Sequence, residues 1–368
     1  MTPRGSTPGP IVGMVGAGQL ARMTQQAAIG LGLSMRLLAE SADDGAALVT
    51  PSVEIGAPDD EAAVERFAKT CDVVTFDHEH VPQPILVALE RSGVTVRPGA
   101  SALRFAQDKR AMRRRLVELG LPVPAWSEDP TGLPRPFVAK AVTGGYDGRG
   151  VWFIGEGDPL PDVDIIVEER VSIVHELAIQ VARTPSGRIR TWPVVETVQR
   201  DGICVEVVAP APRLSPTLAN DAEQLAITIA NELDVVGVMA VELFEAPSGL
   251  LVNELAMRPH NSGHWTIEGS VTSQFEQHLR AVLDWPLGDT RPRAPVSVMV
   301  NLLGGEHTDL AASLPAALAA VPDASVHLYG KQARPGRKLG HVTVLGDDVV
   351  SVRERARRAV AVLRGDES

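Results

Sequence analysis

A short turn, Ala246-Pro247-Ser248-Gly249, divides an apolar run from Gly237 to Phe244 from the segment Leu250-Leu251-Val252-Asn253-Glu254. Pro, Ser and Gly between two apolar runs predict a β-hairpin. A hairpin centred near Ser248 sets Glu242 opposite Glu254. Like charges directly opposed across a hairpin destabilise it, so the pair needs a remedy. Either both acids are solvated on an outer face, or a hard divalent cation bridges them and shares a ligand's phosphates. Next comes a dense polar run, Arg258-Pro259-His260-Asn261-Ser262-Gly263-His264-Trp265. Arg258 and His260 alternate along an extended segment and so share a face with Glu254 and Ala256. That puts two potential cations beside the acids, an arrangement suited to an anionic substrate and a transferring phosphoryl group. His264 and Trp265 read as packing or capping residues.

The 368 residues allow two or three packed units, and 44% hydrophobic with 22% charged residues is the composition of a globular protein. An aromatic content of 4% and a net charge of −11 argue against a nucleic-acid surface. Basic residues must be concentrated locally if the ligand is anionic. Cys71 and Cys204 have no ligand-like spacing and read as buried thiols in a reducing cytosol. No stretch has the apolar length of a membrane span. The first ten residues lack the apolar core of a signal peptide and read as a loose tail. The expectation is a cytoplasmic protein with neither nucleic acid nor membrane as partner.

Strand-like Ile11 to Val15, a helix from Gln19 to Leu31, a strand from Met35 to Ala39 and further short strands at 53–55 and 72–76 make a βαβ rhythm, hence a parallel sheet. The pattern changes near Arg104, where a basic helix from Gln107 to Gly120 begins a second unit. A Pro/Arg-rich joint from Gly288 to Pro295 leads to a third. The implied units are 1–104, 105–290 and 291–368.

Other loci carry chemistry. Gly16-x-Gly18-x-x-Ala21 joins a strand to a helix, where backbone amides and the helix start can meet a phosphate. Glu40 ends the next strand at the spacing of a dinucleotide fingerprint, so an NAD-dependent oxidoreductase is a rival reading. A mononucleotide phosphate and a plain tight turn are the others. Lys140 ends an apolar strand before Gly144-Gly145-Tyr146-Asp147-Gly148-Arg149-Gly150. The lysine can aim at phosphate oxygens, and the glycines make a flap that approaches a polyphosphate closely. No Walker pattern is present. The helix with Lys109, Arg110, Arg113, Arg114 and Arg115 reads as a solvated face with one or two functional lysines. Lys331, Arg334, Arg337 and Lys338 surround a Pro-Gly turn that, from residues alone, is a solvated basic loop. Asp77 and Glu79 follow a strand, where open α/β sheets bind ligands, or else cap the loop.

These loci, in this order, resemble the ATP-grasp superfamily over nearly the whole chain. Asp108-Lys109 and Leu119 to Pro124 resemble its entry helix, Lys140 and the flap its phosphate lid, Ile166 to Glu169 its adenine-side strand, and the hairpin its metal site. Gly16 to Leu20, Gly144 to Gly150, Arg258 to Trp265 and Arg334 to His341 resemble the 5-(carboxyamino)imidazole ribonucleotide synthase family in particular. The formate-using purine transformylase has a different run after Arg-x-His, and biotin carboxylase a different hairpin continuation. The family usually has glycine at positions 17 and 21, where Ala stands, and often Glu in place of Asp77.

The resemblance implies an α/β and α+β ATP-grasp fold. Residues 1–104 would form a Rossmann-like pre-ATP-grasp domain, 105–290 the ATP-grasp domain with its glycine-rich lid, and 291–368 a small β-rich C-terminal domain. It implies a homodimeric ligase that uses ATP, bicarbonate and 5-aminoimidazole ribonucleotide, with Mg²⁺ or Mn²⁺ on Glu242 and Glu254. ATP would meet Arg104, Lys109, Lys140, Gly145 to Val151, Glu168, Glu169, Arg170, Val171, Glu176, Asn253 and Glu254. The ribonucleotide would meet Gly16, Gly18, Gln19, Leu20, Glu79, Arg258, His260, Lys331, Arg337 and Lys338, which turns the basic loop into a phosphate clamp. Arg258 would steady bicarbonate, while His260, Tyr146, Asp147 and Arg149 would line the acceptor. A non-catalytic ATP-sensing module is a further alternative.

Overall fold

The computed structural model describes residues 9–145, 148–305 and 309–366. Tyr146 and Asp147, both expected in the site, lie outside these residues. Strands β1 (Ile11–Val15), β2 (Ser34–Ala39), β3 (Val53–Ile55) and β4 (Val73–Phe76), with helices α1 (Gln19–Leu31) and α2 (Glu61–Ala68), form a parallel sheet of order β3-β2-β1-β4. The βαβ reading of the N-terminal third therefore holds. Helices α3 (Gln83–Arg91), α4 (Ala100–Gln107) and α5 (Lys109–Glu118) lead out of it.

The boundary expected at Arg104 falls inside α4, and the basic helix is shorter at its start than the periodicity predicts. The break is local. Asp108 adopts an extended conformation, and its carboxylate accepts from the Ala111 N–H at 2.8 Å, which caps α5. Sequence periodicity also passes over α3 and α9 (Leu310–Ala320); α9 is rich in small apolar residues and contains Pro315.

A second, antiparallel sheet of order β5-β8-β6-β7 comprises β5 (Trp126–Ser127), β6 (Phe137–Ala141), β7 (Val151–Ile154) and β8 (Ile165–Glu169). It carries Lys140 and the glycine flap. The central sheet is larger. It comprises β9 (His175–Arg183), β10 (Ile189–Thr191), β11 (Val195–Arg200), β12 (Ile203–Ala209), β13 (Gly237–Ala246), β14 (Gly249–Ala256), β15 (Val296–Leu303), β16 (Ser325–Leu328) and β17 (Lys338–Gly346). Its order is β14-β13-β9-β11-β12-β15-β17-β16, with β10 beside β9. The C-terminal strands thus continue the central sheet through the β12–β15 pairing. The remaining helices are α6 (Pro216–Glu232), α7 (Thr266–Gly269), α8 (Gln274–Val282) and α10 (Val349–Arg364). No helix among the described residues is long and apolar enough to cross a membrane.

Packing welds these layers. One apolar core joins Val15, Phe67 and Phe76 of the first sheet and its helices to Met239 and Leu255 of the β13–β14 hairpin and to Met257 just after it. A second joins Val12 and Met14 of β1 to Leu279 and Val282 of α8. Each fully buried side chain of this kind contributes about 1.5–3 kcal/mol. The first sheet and the hairpin are therefore fixed against each other by continuous dry contact.

Gly237 and Gly249 bracket β13 and the turn at the same φ of +117°. A Cβ at Gly237 would stand 2.9 Å from His278 Cε1, whereas one at Gly249 meets nothing within 4 Å. Each Gly→Ala substitution is expected to cost about 1–3 kcal/mol in backbone strain. The loss should be larger for Gly237→Ala, as a lower denaturant midpoint at unchanged slope. Equal midpoints would mean that the His278 contact costs nothing.

Candidate active site

One cleft of about 1850 Å³ draws its walls from all three sheets. Among its lining residues are Gly16, Gly18, Gln19 and Leu20 from the first loop, Glu79 after β4, and Lys331, Arg337 and Lys338 from the basic turn. Opposite these stand Lys109, Lys140, Gly145, Gly148, Arg149, Val151, Glu168, Glu169, Arg170, Val171 and Glu176. Glu242, Asn253, Glu254, Arg258 and His260 make the floor. Two expected ATP contacts fall elsewhere. Arg104 lies over the Phe105 ring and lines a separate pocket, because α4 turns it away from the cleft. Gly150 stands behind the flap, its carbonyl accepting from the Ala141 N–H at 2.8 Å.

The hairpin forms in the predicted register, with Glu242 paired to Glu254 and a bulge immediately after Glu242. Both side chains lie deep yet open to the cleft, 30% and 40% exposed. Each acid has its own partner. Lys109 Nζ donates to Glu254 Oε1 at 2.5 Å, and His260 Nε2 lies 3.3 Å from Glu242 Oε1. Burial, then the neighbouring Glu254 charge, pushes Glu242 up to about 7. Burial also opposes ionisation of Glu254, but Lys109 overcomes it and holds that carboxyl below its ordinary value. His260 gives Glu242 no full positive charge, since burial and then Arg258 hold the imidazole well below its usual pKa.

Such a pair fits a divalent cation, because burial and the facing carboxylate disfavour ionisation of Glu242, a penalty that a cation would remove, while its oxygens face open space. Among the described residues no group of three or more His, Cys, Asp or Glu side chains could hold a metal by itself. A cation here would need ligand phosphates to complete its shell.

Behind the hairpin lies a pairing that the sequence reading missed. Arg113 is fully buried, contrary to the expectation of a solvated helix face. Its Nε donates to Glu168 Oε1 at 2.7 Å, and its two terminal nitrogens donate to the carbonyls of Val252 at 3.1 Å and Asn253 at 2.7 Å. Lys140 Nζ reaches the other Glu168 oxygen at 2.7 Å and Asn253 Oδ1 at 2.8 Å. Glu168 thus lines the cleft while orienting two cations. Burial alone would raise its pKa, but Lys140 and then Arg113 outweigh that and hold it at about 2. Lys109 and Arg113 stand one turn apart on α5, a shared-face signal that was present in the sequence.

At the other end, the first loop differs from the expected phosphate cradle. Asp77 accepts from the Gly18 N–H at 2.6 Å and the Ala21 N–H at 2.9 Å, so a carboxylate of the chain already occupies that helix start. The capping reading of Asp77 holds. Helix geometry leaves the first-turn amides of Gln19 and Leu20 without intrahelical partners. The Gln19 side chain accepts from Lys331 Nζ, which joins the first loop to the basic turn. Arg258 Nε donates to Glu79 Oε2 at 2.8 Å, so Arg258 and His260, on the segment that follows β14, reach different acids.

A wall with Lys109, Lys140 and the glycine-rich flap and a wall with the first glycine loop and the basic turn share this cleft, with opposed carboxylates between them. An ATP-grasp domain matches residues 124–275, a ribonucleotide synthetase preATP-grasp domain 10–107, and a phosphoribosylaminoimidazole carboxylase C-terminal domain 297–355. Fold and site together define an ATP-grasp enzyme, a carboxylating ligase that binds ATP. The N5-carboxyaminoimidazole ribonucleotide synthase of Mycobacterium tuberculosis is 54% identical, the match covering 95% of this chain and 87% of the relative. That of Corynebacterium ammoniagenes is 48% identical, at 98% and 94%. The solved N5-carboxyaminoimidazole synthase from Aspergillus clavatus, in complex with ADP and 5-aminoimidazole ribonucleotide, has a TM-score of 0.87 and 32% identity over 96% of this chain and 98% of that one. The chain belongs to the N5-carboxyaminoimidazole ribonucleotide synthase family.

Glu168→Gln would leave Arg113 and Lys140 without their buried counter-ion, at an expected cost of about 3–5 kcal/mol. Because folding lowers the Glu168 pKa from 4.5 to about 2, its contribution is complete above the unfolded value and is lost as pH falls through that window. Unfolding free energy should therefore fall between pH 5 and pH 2 more steeply in the parent protein than in Glu168→Gln. Parallel pH profiles would refute the pairing.

Proposed function

We infer that the cleft carboxylates the exocyclic amine of 5-aminoimidazole ribonucleotide with bicarbonate, converting ATP to ADP and phosphate. The observation that carries this reading is the meeting in one cleft of Lys109 and Lys140, of Lys331, Arg337 and Lys338, and of the opposed Glu242 and Glu254. Family membership decides between this reaction and the NAD-dependent, formate-dependent and non-catalytic alternatives.

Bicarbonate oxygen attacks the γ-phosphorus and ADP leaves, giving carboxyphosphate. The ribonucleotide amine then attacks its carboxyl carbon, phosphate leaves and the nitrogen loses a proton. Phosphoryl transfer of this kind depends on positioning and charge neutralisation. Lys140 is aimed by Glu168 and Asn253, and Lys109 by Glu254, so both ammonium groups are set before ATP arrives. Val138, Phe153, Ile173 and Phe244 supply apolar wall for a flat base, with Glu176 at the ribose. Glu242 and Glu254 would hold Mg²⁺, which when bound neutralises phosphate charge. Lys109 would then turn from Glu254 towards a phosphate.

Arg258, oriented by Glu79, would steady bicarbonate, and His260 would present a neutral imidazole to the acceptor. The ribonucleotide phosphate would take the Gln19 and Leu20 amides with Lys331, Arg337 and Lys338; Asp77 keeps it from moving deeper. Closure of the flap around Gly145, Gly148 and Arg149, with Tyr146 and Asp147, would exclude water from an intermediate that water destroys. The chain is read as a cytoplasmic homodimer; its free thiols at Cys71 and Cys204 support a reducing compartment.

ADP release is expected to rise sharply only when the ribonucleotide and bicarbonate are both present, with labelled bicarbonate recovered as a carbamate on the product. Formate-dependent turnover indifferent to bicarbonate would sink the assignment. Glu254→Gln should lower magnesium-dependent turnover by roughly 100-fold or more with an unchanged unfolding midpoint. Parent-level activity in that variant would refute its part in the cation site.

A further inference from the structure

The segment that bears His260 is held from beneath by a residue that the proposed chemistry does not touch. Gln274, the first residue of α8, is fully buried. Its Oε1 accepts from the His260 N–H at 2.9 Å, and its Nε2 donates to the His260 carbonyl at 2.7 Å. One side-chain amide thus pairs both main-chain groups of His260, as a neighbouring strand would. Because Oε1 takes a backbone N–H, the orientation of the amide is determined by its partners. Its Nε2 also lies 3.0 Å from His264 Nδ1. Gln274 is tied down in turn, its own N–H donating to Thr266 Oγ1 at 2.9 Å. Gly263 leaves room for this clamp, since a Cβ there would collide with Gln274 Oε1.

The helix behind Gln274 is anchored to both halves of the cleft. One turn further along α8, His278 is also fully buried, and its Nδ1 accepts from the Val238 N–H at 3.0 Å. The ring proton then sits on Nε2, which donates to Thr75 Oγ1 at 2.7 Å. Val238 lies on β13 upstream of Glu242, and Thr75 lies on β4 just before the Asp77–Glu79 loop. One helix therefore touches the segment of His260, the strand of Glu242 and the strand that leads to Glu79.

We propose that Gln274 is a positioning residue for the ligase reaction, holding His260 through its backbone in register with Glu242 and Glu79 by way of α8. The inference rests on the assignment of His260 to the acceptor site. Polar groups buried to this degree are costly unless all are paired. The paired amide therefore suppresses alternative paths for the loop.

Gln274→Met preserves length and bulk while removing the hydrogen bonds. Its kcat with all three substrates should fall about 10–100-fold, the scale on which a small misplacement acts. The KM for ATP should stay within about twofold, because the side chains assigned to the nucleotide do not contact Gln274. His260→Ala should lose activity by at least as much, and Gln274→Met/His260→Ala should fall no further than His260→Ala alone, since one residue acts through the other. Gln274→Glu, which keeps the acceptor for the His260 N–H, should fall between parent and Gln274→Met. If Gln274→Met does not fold, the same double-variant comparison made with Gln274→Glu decides. The proposal is overturned by a Gln274 variant with parent-level kcat, by losses that multiply in the double variant, or by a KM for ATP that rises in step. Parent-level activity in His260→Ala would remove the acceptor-site assignment itself.

Discussion

Two carboxylates facing each other across one hairpin organise the rest of this molecule. Glu242 and Glu254 are paired by β-sheet register, so backbone hydrogen bonds hold together what charge would separate. The surrounding residues answer that repulsion in layers. Lys109 takes Glu254, a neutral His260 approaches Glu242, and Arg113 fastens the backbone of β14 directly before Glu254. Glu168, deeper still, holds Arg113 and Lys140 in place. Field and geometry are thus built in before a ligand binds, the condition under which electrostatic stabilisation is most effective.

The same economy governs the opposite wall. A helix start attracts anions, and a glycine loop before α1 would ordinarily offer several amides to a phosphate. Asp77 takes two of them, which limits how deep an anion can go and leaves Gln19 and Leu20 as the helix-end donors. The basic turn supplies the missing positive charge from the far end of the chain, through Lys331 and its contact with Gln19. Three sheets contribute to one cleft; shared apolar cores fix the first sheet against the central one, while the sheet of Lys140 has a core of its own.

Much of this was legible in the chain. The two apolar runs and the Pro-Ser-Gly turn between them predicted the hairpin and the facing acids, because strand pairing follows turn position closely. The βαβ rhythm predicted the parallel N-terminal sheet. Arg113 was misread for a physical reason: a run of five basic residues looks solvated, and only the arrival of Glu168 from β8 makes burial of one of them tolerable. Arg104 lines a different pocket from Lys109, since helix phase decides which way a side chain faces.

The sequence by itself determined the local chemistry: the register of the hairpin, the lysine at the end of β6, the glycine-rich flap and the turn of basic residues. These depend on neighbours a few positions apart, where pattern and turn residues speak directly. Only the tertiary structure decided which charges meet. Pairing of Arg113 with Glu168, of Asp77 with the Gly18 amide, of Lys331 with Gln19 and of Gln274 with His260 joins segments whose approach is set by packing of separate layers. No periodicity encodes such partners, because each bond is made after its two elements are already in place.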